Sequence, residues 1–283
     1  EKEISVPATP SHAPARVNGV HVNGSAPASA DAVPLTEEQK EVWLAAQLSD
    51  GASCAYNEGS TLMLEGPLKP DLLIAALNDV VARHDALRAT ISPLGDHLRV
   101  SPALKVDVPL IDLSRANDAD ERFKAILDEE AKTPFDLANG PLLRARLVKR
   151  CEDKHALVFT AHHIVCDGWS SGVVMQELGA FYNARLTGKP TGLGPTLPFA
   201  RYAAERAKPK AEDAAVEAYW LSEYKDLPQP LELPTDRPRP SVKTFAGATY
   251  TVHIDAGLMN AVKKVAARHG TTLFATLFAA TQV

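Results

Sequence analysis

An α/β fold, a mixed sheet held between flanking helices, is what this sequence predicts, and three observations carry it. Strand-like and helix-like segments are interspersed irregularly along the chain, which fits a sandwich better than a strict βαβ repeat. Residues 156–161, with Ala156, Leu157, Val158 and Phe159, are apolar at nearly every position, as expected of a central strand covered on both faces. Residues 142–148 alternate instead, with Leu143, Ala145 and Leu147 set against Arg144 and Arg146, which predicts one buried and one wet face.

Taken in order, structure is expected to begin at Leu35. Thr36 followed three residues later by Gln39 fits a capping box, and the helix runs on through Trp43, Leu44 and Leu48. Residues 58–65 read as a strand ended by Gly66-Pro67. Asp71 can cap the next helix, where Leu73, Leu77, Val80 and His84 share one face. Residues 87–91 and 97–101 are short strand candidates, and 118–132 form a charged amphipathic helix. After the two strands already named come a helix at 170–186, a Pro/Gly-rich break, and helices at 199–207 and 212–224. A proline-rich connector follows. Residues 247–254 read as a strand, 255–269 as a helix closed by Gly270, and 271–283 as an apolar helix pattern. No internal repeat is visible.

The whole chain has 283 residues, 45% hydrophobic and 23% charged, the make-up of a globular protein of about two compact units. A net charge of -5 argues against a nucleic-acid grip or attraction to an anionic membrane. No apolar run approaches the roughly 20 residues that span a bilayer. Cys54, Cys151 and Cys166 show neither disulfide-framework nor zinc-type spacing, so a reducing cytoplasm is expected. Of the 30 residues from Ser5 to Pro34, 18 are Ala, Pro, Ser or Gly. Such a stretch buries too little apolar surface to offset its ordering entropy. Residues 1–34 therefore read as an inter-domain linker, and the chain, which begins Glu1-Lys2-Glu3, as a piece of something longer.

The chemistry-bearing segment is Ala161-His162-His163-Ile164-Val165-Cys166-Asp167-Gly168-Trp169-Ser170. Two histidines stand at the exit of the central strand. Side chains alternate there, so His163 follows Leu157, Phe159 and Ala161 while His162 follows Val158 and Thr160. One imidazole can enter a pocket while the other braces the core. Asp167 lies in a turn, where an ion pair can orient the loop, and Gly168 lets backbone approach a ligand closely. Spacing alone leaves a pair of structural histidines open. A metal site is disfavoured because adjacent strand residues point apart. Cys166 lacks the surroundings of a nucleophile and reads as a small buried thiol.

Read as HHxxxDG, this segment resembles the signature of condensation domains of nonribosomal peptide synthetases, members of the acyltransferase superfamily that includes chloramphenicol acetyltransferase. Further matches come in the family's order. Residues 35–44, with Gln39 and Trp43, resemble its first motif. Arg83-His84-Asp85-Ala86-Leu87-Arg88-Ala89-Thr90 resembles RHExLRT, with Asp85 in place of Glu and Ala89 inserted. Phe135-Asp136-Leu137, Gly140-Pro141-Leu142-Leu143-Arg144 and Leu233-Pro234-Thr235-Asp236-Arg237-Pro238-Arg239-Pro240 are also typical. The tyrosine-rich fourth motif is degraded to Phe199-Ala200-Arg201-Tyr202-Ala203. The motifs of the second lobe are absent.

The resemblance implies a chloramphenicol acetyltransferase-like sandwich with its second lobe truncated: linker at 1–34, N-terminal lobe at 35–230, connector at 231–246, and the start of the C-terminal lobe at 247–283. It implies amide formation between an upstream acyl or peptidyl thioester and the amine of a downstream aminoacyl thioester. Both substrates ride on phosphopantetheine arms of carrier proteins that, like the adjacent synthetase domains, are the expected partners. No intrinsic cofactor is implied. His163 carries over as the catalytic histidine, with His162, Asp167 and Gly168 supporting it, and Arg88 as the ion-pair partner of Asp167. An epimerisation domain or a non-catalytic docking domain of the same superfamily are the alternatives. With one lobe incomplete, residues 1–283 alone are expected to form little product.

Overall fold

The computed structural model describes residues 33–208, 213–232 and 234–282. The linker reading of residues 1–34 falls almost entirely outside the described residues, as do Glu212, Leu233 and Val283. By contact the chain divides into two compact units, one up to Phe245 and one from Ala246 onward.

In the first unit the opening helix α1 (Glu37–Ala46) carries the expected capping box, with Gln39 N–H donating to Thr36 Oγ1 and Thr36 N–H to Gln39 Oε1. A short helix α2 (Asp50–Cys54) leads into β2 (Asn57–Glu65), β1 being the two-residue strand Val33–Pro34. Helix α3 (Pro70–Arg83) starts two residues earlier than a cap at Asp71 predicts, with a proline in its first position. Lys69 occupies the cap, and Asp71 sits in the first turn, where its charge suits the helix dipole. The first two residues of the strand expected at 87–91 belong instead to a 3-10 turn (Asp85–Arg88), and only β3 (Ala89–Ile91) is extended. It pairs with β4 (His97–Val100), and β4 with β1.

The main sheet of the described residues has the order β2-β7-β6-β5, with β5 (Leu110–Asp112), β6 (Leu143–Cys151) and β7 (Lys154–His162). Its pairs are antiparallel except β5 with β6. Strand β7 is interior and buried on both faces, as its composition requires. One face, including Leu143, Leu147, Leu157 and Phe159, packs against Leu73 and Leu77 of α3 and against Val174, Leu178 and Tyr182 of α5 (Gly168–Thr187). The other, with Val148, Ala156 and Val158, is covered by Ile126 of α4 (Ala119–Lys132).

That cover corrects one expectation. Arg144 and Arg146 do not face water freely. Their Nε atoms lie 2.9 and 2.7 Å from the carboxylate of Glu130, a buried residue of α4. Arg146 also donates a fork of two hydrogen bonds to the Glu129 carboxylate. A buried carboxylate needs such partners, and the alternation in the sequence shows the two arginines without showing what covers them.

The first unit also contains α6 (Phe199–Arg206) and α7 (Asp213–Glu223). In the second unit, α8 (Ala256–Arg268) is capped by Asp255 and ends before Gly270 at φ +62°, and α9 (Leu273–Ala280) is capped by Thr272. Residues 247–254, expected as a strand, have no regular structure and are exposed. A strand exists through its hydrogen-bonded neighbour, and none of the described residues pairs with this segment. No helix of the described residues is long and apolar enough to cross a membrane.

Candidate functional site at the exit of the central strand

The turn after β7 is wound around the His162 ring. His162 is fully buried, and its Nδ1 accepts from the N–H of Ile164 at 3.2 Å. In the neutral ring that leaves the proton on Nε2, which has no hydrogen-bond partner among the described residues. The rings of Tyr56 and Phe135 flank it at 6.0 and 6.1 Å, Phe135 edge-on. Burial pushes its pKa down to about 4, so at neutral pH this imidazole is an uncharged part of the core.

His163 is placed the other way. Its N–H donates to Tyr56 O at 2.8 Å, extending the ladder one residue past β7, and its side chain is 44% exposed. On strand β2, Glu58 is paired with Ala161, so Glu58 and His163 are diagonal neighbours on one face of the sheet. Glu58 Oε2 lies 3.9 Å from His163 Nε2.

Asp167 is the N-cap of α5. Its Oδ1 accepts from the N–H of Ser170 at 2.7 Å and from the Ser170 hydroxyl at 2.6 Å, and these bonds hold its pKa below the usual carboxylate range. The expected ion pair with Arg88 is not formed. Arg88 spends its guanidinium on backbone carbonyls of Val81, Ala82, His84 and Ser101, tying the end of α3 to the 3-10 turn. A helix N-terminus already supplies the positive end that Asp167 needs, and free carbonyls at a helix C-terminus attract the arginine. At Gly168 a side chain would meet only Glu58 Oε1, at 3.9 Å. Protein packing therefore does not demand this glycine, and the space beside it is open. Cys166 is buried, and its thiol is pushed up to about 11 by desolvation, which makes it inert.

The remaining motif residues hold this turn or the helices in place. Gln39 donates to Ile164 O at 2.9 Å. Arg83 and His84 meet Glu177 of α5, with His84 Nε2 at 2.8 Å from its carboxylate. Asp85 accepts from the N–H groups of Phe199 and Ala200 at 2.7 and 2.9 Å, capping α6, whose own cap residue is a proline. The guanidinium of Arg144 lies 3.8 Å over the Phe135 ring that abuts His162. Among the described residues no cluster of three or more acidic, histidine or cysteine side chains is placed to hold a metal ion. Sequence reasoning missed Glu58. Its signal was a carboxylate in the same register as Leu62 and Leu64, which face the α3/α5 core.

The family model described as "Condensation domain" matches residues 29–283. The chain belongs to the condensation-domain family. It is 39% identical to chondramide synthase cmdD of Chondromyces crocatus over 263 residues, 90% of this chain and 7% of that protein. With malpinin synthetase of Mortierella alpina it shares 35% over 253 residues, 88% of this chain and 3% of the other. Its fold matches the starter condensation domain of rhizomide synthetase RzmA with a TM-score of 0.64 and 27% identity, covering 71% of this chain and 49% of that one. The first condensation domain of the calcium-dependent antibiotic synthetase matches with 0.63 and 28%, over the same shares. This condensation-domain chain thus spans a small part of the synthetases it resembles and about half of the solved domains.

Proposed function

We propose that this chain supplies the reacting imidazole, His163, for amide formation between two carrier-borne thioesters. The observation that supports this is the contrast within one motif. His162 is sealed in the core and Asp167 is committed to α5, whereas the His163 ring stands open on the sheet face. A free α-amine attacks the upstream thioester carbonyl, the C–N bond forms, the C–S bond breaks, and the upstream thiol leaves with a proton. The amide stays on the downstream carrier. His163 Nε2 accepts the amine proton or hydrogen-bonds the tetrahedral intermediate. An α-amine titrates at about 7.7–8.0, so part of it is already neutral at physiological pH and holding the two reactants together supplies much of the rate. Phosphopantetheine arms carry both substrates, and the chain contributes no cofactor of its own. Residues 1–283 alone present one side of the reaction space and do not exclude water, so they form little amide without the remainder of the domain.

The test is product identity. The complete condensation domain containing this sequence is mixed with an acyl-loaded upstream carrier and an aminoacyl-loaded downstream carrier. Intact mass of the downstream carrier is expected to rise by the acyl group. An unchanged mass with inversion of the α-carbon would overturn the reading in favour of epimerisation.

A further inference from the structure

Resting on that reading, we infer that Glu58 is the residue that binds the incoming amine in its ammonium form and sets it against His163. Three observations carry this. Glu58 lies in the core-facing register of β2, yet at the open end of the sheet, its side chain 34% exposed. Its carboxylate has no hydrogen bond among the described residues, and its one ion-pair neighbour, His163 Nε2, is 3.9 Å away, too far for a hydrogen bond. Two neighbouring groups bring it no positive charge: Asp167 is itself an acid, committed to capping α5, and the Cys166 thiol is protonated and buried.

The 3.9 Å gap has a use. One nitrogen placed about 2.9 Å from each atom, an ordinary hydrogen-bond length, closes a triangle over it. An ammonium has three N–H donors, so one can go to the carboxylate while another points at the imidazole nitrogen. Both oxygens are free to accept, and Gly168 leaves the space beside Oε1 open. A glutamate in this place distinguishes an amine acceptor from an isosteric acceptor lacking the charge.

The experiment uses the complete condensation domain and two probes, glycyl-pantetheine amide and acetyl-pantetheine amide, which differ by the amine alone. Affinities are measured by ligand-observed NMR competition. The wild type is expected to prefer the glycyl probe about tenfold, the worth of one charged hydrogen bond. Glu58→Gln, which keeps size and shape, is expected to bring the two within about twofold, while Glu58→Asp keeps part of the preference. His163→Ala is expected to retain the preference while losing amide formation. Equal binding of both probes by the wild type, or an undiminished preference in Glu58→Gln at an unchanged melting temperature, would overturn the inference. Neither outcome touches the role of His163, which stands or falls on turnover.

Discussion

The inner and outer sides of the turn after β7 carry the same residue type and have opposite fates. On the inner side, His162 is held by Ile164 and two aromatic rings and has lost its basicity to burial. On the outer side, one residue later, His163 keeps its ring in the open beside a carboxylate. Strand alternation alone separates them. The lesson extends to the rest of the motif residues: Gln39, Arg83, His84, Asp85 and Asp167 hold helices and the turn in place, and they leave one imidazole and one carboxylate uncommitted.

The largest stability effect should come from the inner side. His162 has its pKa lowered to about 4 in the folded protein against about 6.5 unfolded. Below the unfolded value the unfolded chain binds a proton that the folded one does not. The stability contribution is therefore whole above about pH 6.5 and is lost as pH falls toward 4. Between pH 7 and pH 5 the loss is about 2 kcal/mol, read from urea unfolding of the complete domain. His162→Leu should remove that share of the decline. Parallel declines in the two proteins would break the comparison. A smaller effect belongs to the cap: Asp167→Ala should cost about 1 kcal/mol. A double-mutant cycle with Arg88→Met should give coupling within about 0.5 kcal/mol of zero, because Arg88 is bound to carbonyls and not to Asp167.

Much of this was legible because it is local. The Thr36–Gln39 box, the two-sided burial of β7 and the alternation that splits His162 from His163 all follow from neighbours in sequence. What was not legible depends on distant partners. Arg144 and Arg146 look solvated until α4 places Glu130 over them. Asp85 reads as a departure from a motif until α6, more than a hundred residues later, presents its N–H groups. Residues 247–254 have a strand's composition, but pairing is a property of two segments. Arg88 and Asp167 were matched by charge, whereas a helix end at each residue had the stronger claim. Glu58 was overlooked because a carboxylate on a strand is unremarkable until the register shows which face it joins.

The most direct test of the central claim is single-turnover amide formation by the complete domain with both carriers loaded, comparing the wild type with His163→Ala. The account predicts a fall of at least about 100-fold, with the melting temperature unchanged. Equal rates in the two proteins would contradict it.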